Sequence, residues 1–112
     1  MPTPSATAPH TQVQRMHAAI DKVVAVGPGF LRGEVDVQRM TDTMVGAVRG
    51  YAEQEKIAGG DGMPHGAEAE RLHEVLRELY GCGTGFQADR CDAACVARTI
   101  TYMVDEFGAA QG

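Results

Sequence analysis

QRMHAAIDKVVAVGPGFLRGEVDVQRMTDTMVGAVRGY, residues 14–51, recurs without a gap as ERLHEVLRELYGCGTGFQADRCDAACVARTITYMVDEF, residues 70–107, at an offset of 56. Eight aligned pairs are identical: Arg15/Arg71, His17/His73, Gly27/Gly83, Gly29/Gly85, Phe30/Phe86, Asp36/Asp92, Thr43/Thr99 and Val48/Val104. The apolar positions keep the same register, with Met16 over Leu72, Ile20 over Leu76, Met40 over Val96 and Met44 over Ile100. Helix hairpins in general favour Gly after the first helix and Asp before the second. They do not demand a shared Arg-x-His or a shared Phe. Self-similarity at a fixed period marks repeated structural units. The expectation is a duplicated unit, each copy burying an apolar face that it cannot bury alone.

Each unit reads as two amphipathic helices. Val13, Met16, Ile20, Val23 and Val24 hold helical spacing from about Thr11 to Val26. Gly27 stands where a left-handed cap residue would end that helix, and Pro28 cannot continue it. Residues 29–35 then read as a briefly extended loop. Phe30, and Phe86 in the second copy, fold back from this loop onto the core. Val37, Met40, Met44, Val48 and Tyr51 form a second stripe behind Asp36, a suitable N-cap. Leu72, Val75, Leu76 and Leu79 form the third, ended by Gly81 or Gly83. Val96, Ile100, Met103, Val104 and Phe107 form the fourth, behind Asp92.

The predicted fold is therefore all-α: a four-helix bundle of two repeated helix hairpins with pseudo-twofold symmetry. Residues 1–10, rich in Pro, Thr, Ser and Ala, read as a disordered lead-in. Residues 11–112 form one helical domain, with repeat 1 at about 11–58, a Gly-rich linker at 59–66 and repeat 2 at about 67–108. Gly46 and Gly50, four apart in the second helix, leave a bare strip that would let another backbone approach.

Composition narrows the function classes. The chain has 112 residues, 44% of them hydrophobic, which suffices for a real core. With no Trp and six Met, aliphatic and thioether side chains must fill it. A net charge of −5 disfavours nucleic-acid binding. The longest uncharged apolar run, Val23–Leu31, is too short to span a bilayer, so no membrane partner is expected. The N-terminus has no signal-peptide pattern, and the expected location is the cytoplasm.

The residues with chemistry cluster in the second unit. Cys82, Cys91 and Cys95 are spaced C-x8-C-x3-C, which is no standard zinc pattern. Cys82 and Cys91 align with Val26 and Val35, so they face each other if those valines touch. As free thiols they read as small packed hydrophobes, and in oxidising conditions as a disulfide. Cys95 aligns with Arg39 and falls at N3 of the fourth helix, where a thiolate is favoured. A Cys91–Cys95 redox pair and a thiolate metal site are the other readings, the latter with His73 as fourth ligand. His17 is the repeat partner of His73. Glu70-x-x-His73 echoes the carboxylate–imidazole spacing of di-iron bundles, but Gln14-x-x-His17 lacks the carboxylate. Pro9-His10 and Pro64-His65 also match if one residue is inserted. Arg15 and Arg71, with Glu70, Glu74 and Glu78, read as a solvated helix face.

No catalytic constellation stands out, so an enzyme is not the expectation, and no cofactor is predicted apart from a candidate metal ion. The leading expectation is a small soluble interaction module, a regulator, adaptor or inhibitor that binds a protein partner. Leftover apolar edges would favour a homodimer. The alternative is a metal-binding or thiol-redox protein using Cys82, Cys91 and Cys95 with His73.

Overall fold

A computed structural model describes residues 11–60 and 62–108. The lead-in at 1–10, with His10, and the four C-terminal residues lie outside the described residues. Four helices follow in order: α1 (Gln12–Leu31), α2 (Val37–Ile57), α3 (Ala67–Gln87) and α4 (Ala93–Phe107). There is no strand among the described residues. No helix is long and apolar enough to cross a membrane.

The helix starts follow local chemistry. Thr11 and Gln14 form a reciprocal capping box at α1, with both bonds at 3.1 Å. Asp36 accepts from the Arg39 amide at 2.8 Å and Asp92 from the Cys95 amide at 3.0 Å. Each carboxylate satisfies a free N–H group of the first turn. α3 has no side-chain cap, but Glu68 and Glu70 in its first turn complement the helix dipole.

The helix ends correct the sequence reading. α1 does not stop at Gly27. It continues through Pro28 to Leu31, and α3 runs through Gly81 and Gly83 to Gln87. Residues 29–31 are therefore helical rather than extended. Pro28 forfeits its bond to the Val24 carbonyl, a defect usually worth about 3 kcal/mol. Tertiary packing outweighs this local signal. Continuing the helix holds Val26 and Phe30 against the core and seats the buried Gly27 on α4. A β-carbon on Gly27 would lie 2.8 Å from Val104 and 3.1 Å from Ile100. One on Gly83 would lie 2.8 Å from Val45 and 3.3 Å from the Thr41 carbonyl oxygen on α2. These glycines are contact points between the hairpins. Phe30 and Phe86 are half-buried on the last turns of α1 and α3, not in loops.

The true stops lie six residues later. Gly33 takes a left-handed conformation (φ +83°), with Gly33 N–H bonded to Phe30 O and Glu34 N–H to Gly29 O. Asp89 does the same (φ 62°), with Asp89 N–H bonded to Phe86 O and Arg90 N–H to Gly85 O. Both are Schellman motifs. Asp is among the few non-Gly residues that tolerate this region.

All four helices contribute to one core. Met16, Ile20 and Val23 meet Met40 and Met44, Leu72, Leu76 and Leu79, and Val96, Ile100 and Met103. Burying such a side chain is worth about 1.5–3 kcal/mol. α1 packs on the other three helices and touches α3 across the bundle, whereas α2 and α4 scarcely meet. Contact between α1 and α2 is far more extensive than between α3 and α4.

Arg15 departs from its expected solvated role. Its guanidinium pairs with Glu55 on α2 at 2.5 Å, with side chains only 13% and 6% exposed. Gln12 donates to the other Glu55 oxygen at 3.2 Å and to the Met63 carbonyl at 2.7 Å, and accepts from the His65 amide at 2.9 Å. This clasp ties both helices of the first hairpin to the inter-hairpin linker. Glu55 continues the α2 stripe one step of four past Tyr51, the signal by which it could have been found.

Candidate metal centre

The α3–α4 turn gathers the three cysteines. Cys82 lies on α3, five residues before its end at Gln87. The Asp89 reversal brings Cys91 beside Gly85, where a β-carbon would stand 3.4 Å from that of Cys91. Asp92 then starts α4 and its capping bond fixes Cys95 at N3, one helical turn beyond Cys91. The Cys82 and Cys91 sulfurs are 3.9 Å apart. All three sulfurs lie within 4.8 Å of one another, and each residue is half-buried. The cysteines are free. A disulfide would need the sulfurs at about 2.05 Å.

Burial sets the protonation of two of them. The Cys91 thiol is pushed up to about 12, first by its partial burial and then by Cys95 and Cys82. Burial also raises Cys82, against hydrogen bonds from Thr99 and Cys91 that pull it down. Both sulfurs therefore carry protons at neutral pH. A soft cation that binds must displace them, so binding strengthens as pH rises.

The other site candidates do not join this group. His73 is half-buried on α3, nine residues before Cys82, which is about 13 Å along a helix axis. Its expected place as fourth ligand is not realised: among the described residues, no histidine or carboxylate joins the three sulfurs. Glu70 is exposed on the first turn of α3, and no metal-capable group forms around Glu70 and His73. His17 lies 3.5 Å from the Glu68 carboxylate, with its ring edge-on to Phe107 at 6.5 Å. It bridges α1 to the start of α3 and the end of α4. Nothing comes within 4 Å of a β-carbon on Gly46 or Gly50, so within the chain the close packing falls at Gly27 and Gly83 instead.

A groove between α3 and α4 escaped the sequence reading. Arg71, Glu74, Val75 and Glu78 face Arg98, Thr99, Tyr102 and Met103 across a space of about 540 Å³. A second depression of about 460 Å³ shares Glu74, Glu78 and Thr99 with it, and reaches Cys82 and Cys95. The aligned positions in the first hairpin hold Ala18, Ala19, Gly46 and Ala47 where the groove has Glu74, Val75, Tyr102 and Met103. Of the small residues, Ala19 and Ala47 are buried in the core, whereas the larger Val75, Tyr102 and Met103 line the α3–α4 groove. That size contrast was the available signal.

The chain matches no protein-family model, and no curated protein or solved structure is similar to it.

Proposed function

We propose that the protein binds a soft d10 metal ion, of the copper(I) or zinc(II) class, through the thiolates of Cys82, Cys91 and Cys95. The observation that carries this reading is the mutual approach of three sulfurs within 4.8 Å. Ligands about 2.3 Å from a common centre stand about 4 Å from one another, close to the 3.9 Å between Cys82 and Cys91. Thiolates select such ions over hard oxygen-seeking cations. Two of the ligands sit on helices anchored in the core, so little reorganisation is needed.

The test is an anaerobic titration of reduced protein with copper(I) and zinc(II), followed by elemental analysis. One equivalent with ultraviolet thiolate-to-metal absorption is expected. The control is Cys82→Val with Cys91→Val, which restores the residues aligned at Val26 and Val35 and should keep the fold. Metal retained in that variant, or none bound by the parent, would sink the reading.

A second reading, the interaction module, is favoured by the α3–α4 groove. Tyr102 is 51% exposed beside Val75 and Met103, with charged residues around them. A second copy of the chain is the partner to test first. Light scattering should show a dimer that Tyr102→Asp dissociates; a monomer at all concentrations would remove that partner.

We further infer that the chain is a duplicated hairpin with an approximate twofold axis. The aligned identities, the paired contact glycines and the paired Schellman stops support this. Gly27→Ala and Gly83→Ala should then both destabilise, and a neutral result at either position would count against it.

A further inference from the structure

We propose that, when it holds zinc(II), the three-thiol site takes its fourth ligand from outside the chain. The incoming ligand is a low-molecular-weight thiol that enters by the α3–α4 depression. The site then accepts and releases its ion rather than locking it in place. This rests on the soft-metal reading above and adds to it a substrate and a route.

Three observations carry it. First, three sulfurs gather and no fourth protein donor joins them among the described residues. Closed structural zinc sites use four protein ligands, whereas sites that exchange keep one position open. Second, the missing position has an approach. The depression beside Cys82 and Cys95 has a volume of about 460 Å³ and is walled by Glu74, Arg77, Glu78, Gly81 and Thr99. That volume falls in the range of small-ligand sites, about 300–1,000 Å³. Arg77 on its wall pairs with Glu74 at 3.1 Å, an exposed pair whose cation stays within reach of a carboxylate of a peptide-like thiol, and Glu78 offers an acceptor for an ammonium group. Third, the fold does not need the ion. The buried core that the four helices share contains none of the three cysteines, and Cys82 and Cys91 only pack against its edge. Among the described residues, no buried side-chain nitrogen or oxygen lacks a hydrogen-bond partner. A metal at this half-exposed edge would therefore add little to folding, unlike the metal of a zinc finger.

The exchange step involves no redox change. The incoming thiol loses its proton to solvent as its sulfur bonds the metal, and a metal-bound water leaves. When the ion departs with the external thiol, the cysteine sulfurs take protons back from solvent.

Cobalt(II), a spectroscopic stand-in for zinc, supplies the test. The reduced full chain is loaded with one equivalent under a phosphine reductant. Glutathione is then added, with S-methylglutathione in parallel. Thiolate-to-cobalt absorption should begin at the intensity of three Co–S bonds. It should rise by about a third with glutathione and stay unchanged with the S-methyl form. No rise with glutathione, with a visible spectrum that shifts in Glu78→Gln, would mean that the chain supplies its own fourth ligand and overturns the proposal. Glu78 is the carboxylate to examine because it precedes Cys82 by one turn and lines the same depression. No rise and no shift in Glu78→Gln would also overturn it, since the site then has no affinity for an outside thiol. Both outcomes leave the three-thiolate site standing. Absence of any thiolate-to-cobalt absorption would remove the metal reading itself.

Discussion

The two hairpins align residue for residue, yet one is closed and the other open. α1 and α2 pack extensively, with the small Ala19 and Ala47 buried, and the Arg15–Glu55 pair clasps the open ends of the helices. Between α3 and α4 the aligned positions are Val75 and Met103, and a groove remains. Arg71, aligned with Arg15, lies on that groove and pairs with Glu68 on its own helix, at 3.8 Å. The chemistry is divided in the same way. Val26, Val35 and Arg39 occupy the turn of the closed hairpin, and three cysteines occupy the turn of the open one. The first hairpin is closely packed, and the second carries both the groove and the three thiols.

Removing the clasp gives the largest expected effect. Glu55→Ala leaves the Arg15 guanidinium nearly buried without its carboxylate, and breaking such a pair costs about 3–5 kcal/mol. Arg71→Ala, an exposed position, should stay within about 0.5 kcal/mol of the parent. Urea denaturation of both variants measures the contrast. Equal effects would erase the claimed difference between the hairpins.

The contact glycines come next. Gly83→Ala should cost about 1–3 kcal/mol, because the new methyl meets both Val45 and the Thr41 carbonyl. Gly27→Ala meets only side chains, Val104 and Ile100, which have more freedom to give. It should fall at the lower end of that range. A larger cost at Gly27 than at Gly83 in thermal unfolding would reverse this reading of which contact is the more rigid.

These glycines also show where sequence reasoning ran out. Helix number, the apolar stripes and the Asp36 and Asp92 caps were legible, because each is a local property of the chain. Gly27-Pro28 reads locally as a stop. Its actual role depends on α4, more than 70 residues away, and no local rule contains that contact. Glu55 was missed for a related reason. A carboxylate at the end of a stripe reads as solvated until its partner on α1 is placed. At the site, alignment with Val26 and Val35 suggested that Cys82 and Cys91 face each other. Cys82, Cys91 and Cys95 were legible together as a candidate set, but their approach within 4.8 Å depends on the Asp89 reversal, which no glycine marks. The pairing of His73 with the cysteines overlooked the length of helix between them.

The thiols add a pH dependence that the valine-lined turn lacks. Cys91 has its folded value raised from 9.0 to about 12. The unfolded chain therefore releases this proton first as pH rises. The stability contribution is complete below about pH 9 and is lost progressively toward about pH 12. Metal-free parent protein should lose melting temperature between about pH 8 and about pH 10.5. Cys91→Val, which copies Val35, should lose less. Identical slopes would mean that the thiol is not held protonated by the fold.

The smallest expected effect has the opposite sign. Gly46 sits inside α2, exposed, with nothing within 4 Å of where its β-carbon would be. An alanine there meets no neighbour and restricts the unfolded chain, so Gly46→Ala should stabilise by about 0.5–1 kcal/mol. The aligned residue in the open hairpin is Tyr102, so this position accepts a full side chain in one hairpin and none in the other. If Gly46 serves a partner's close approach, the variant gains stability but loses association. If it is merely tolerated, the variant gains stability alone. Denaturation with light scattering on the same sample separates the two, and a loss of stability would show that α1 and α2 are packed more tightly around Gly46 than the structure places them.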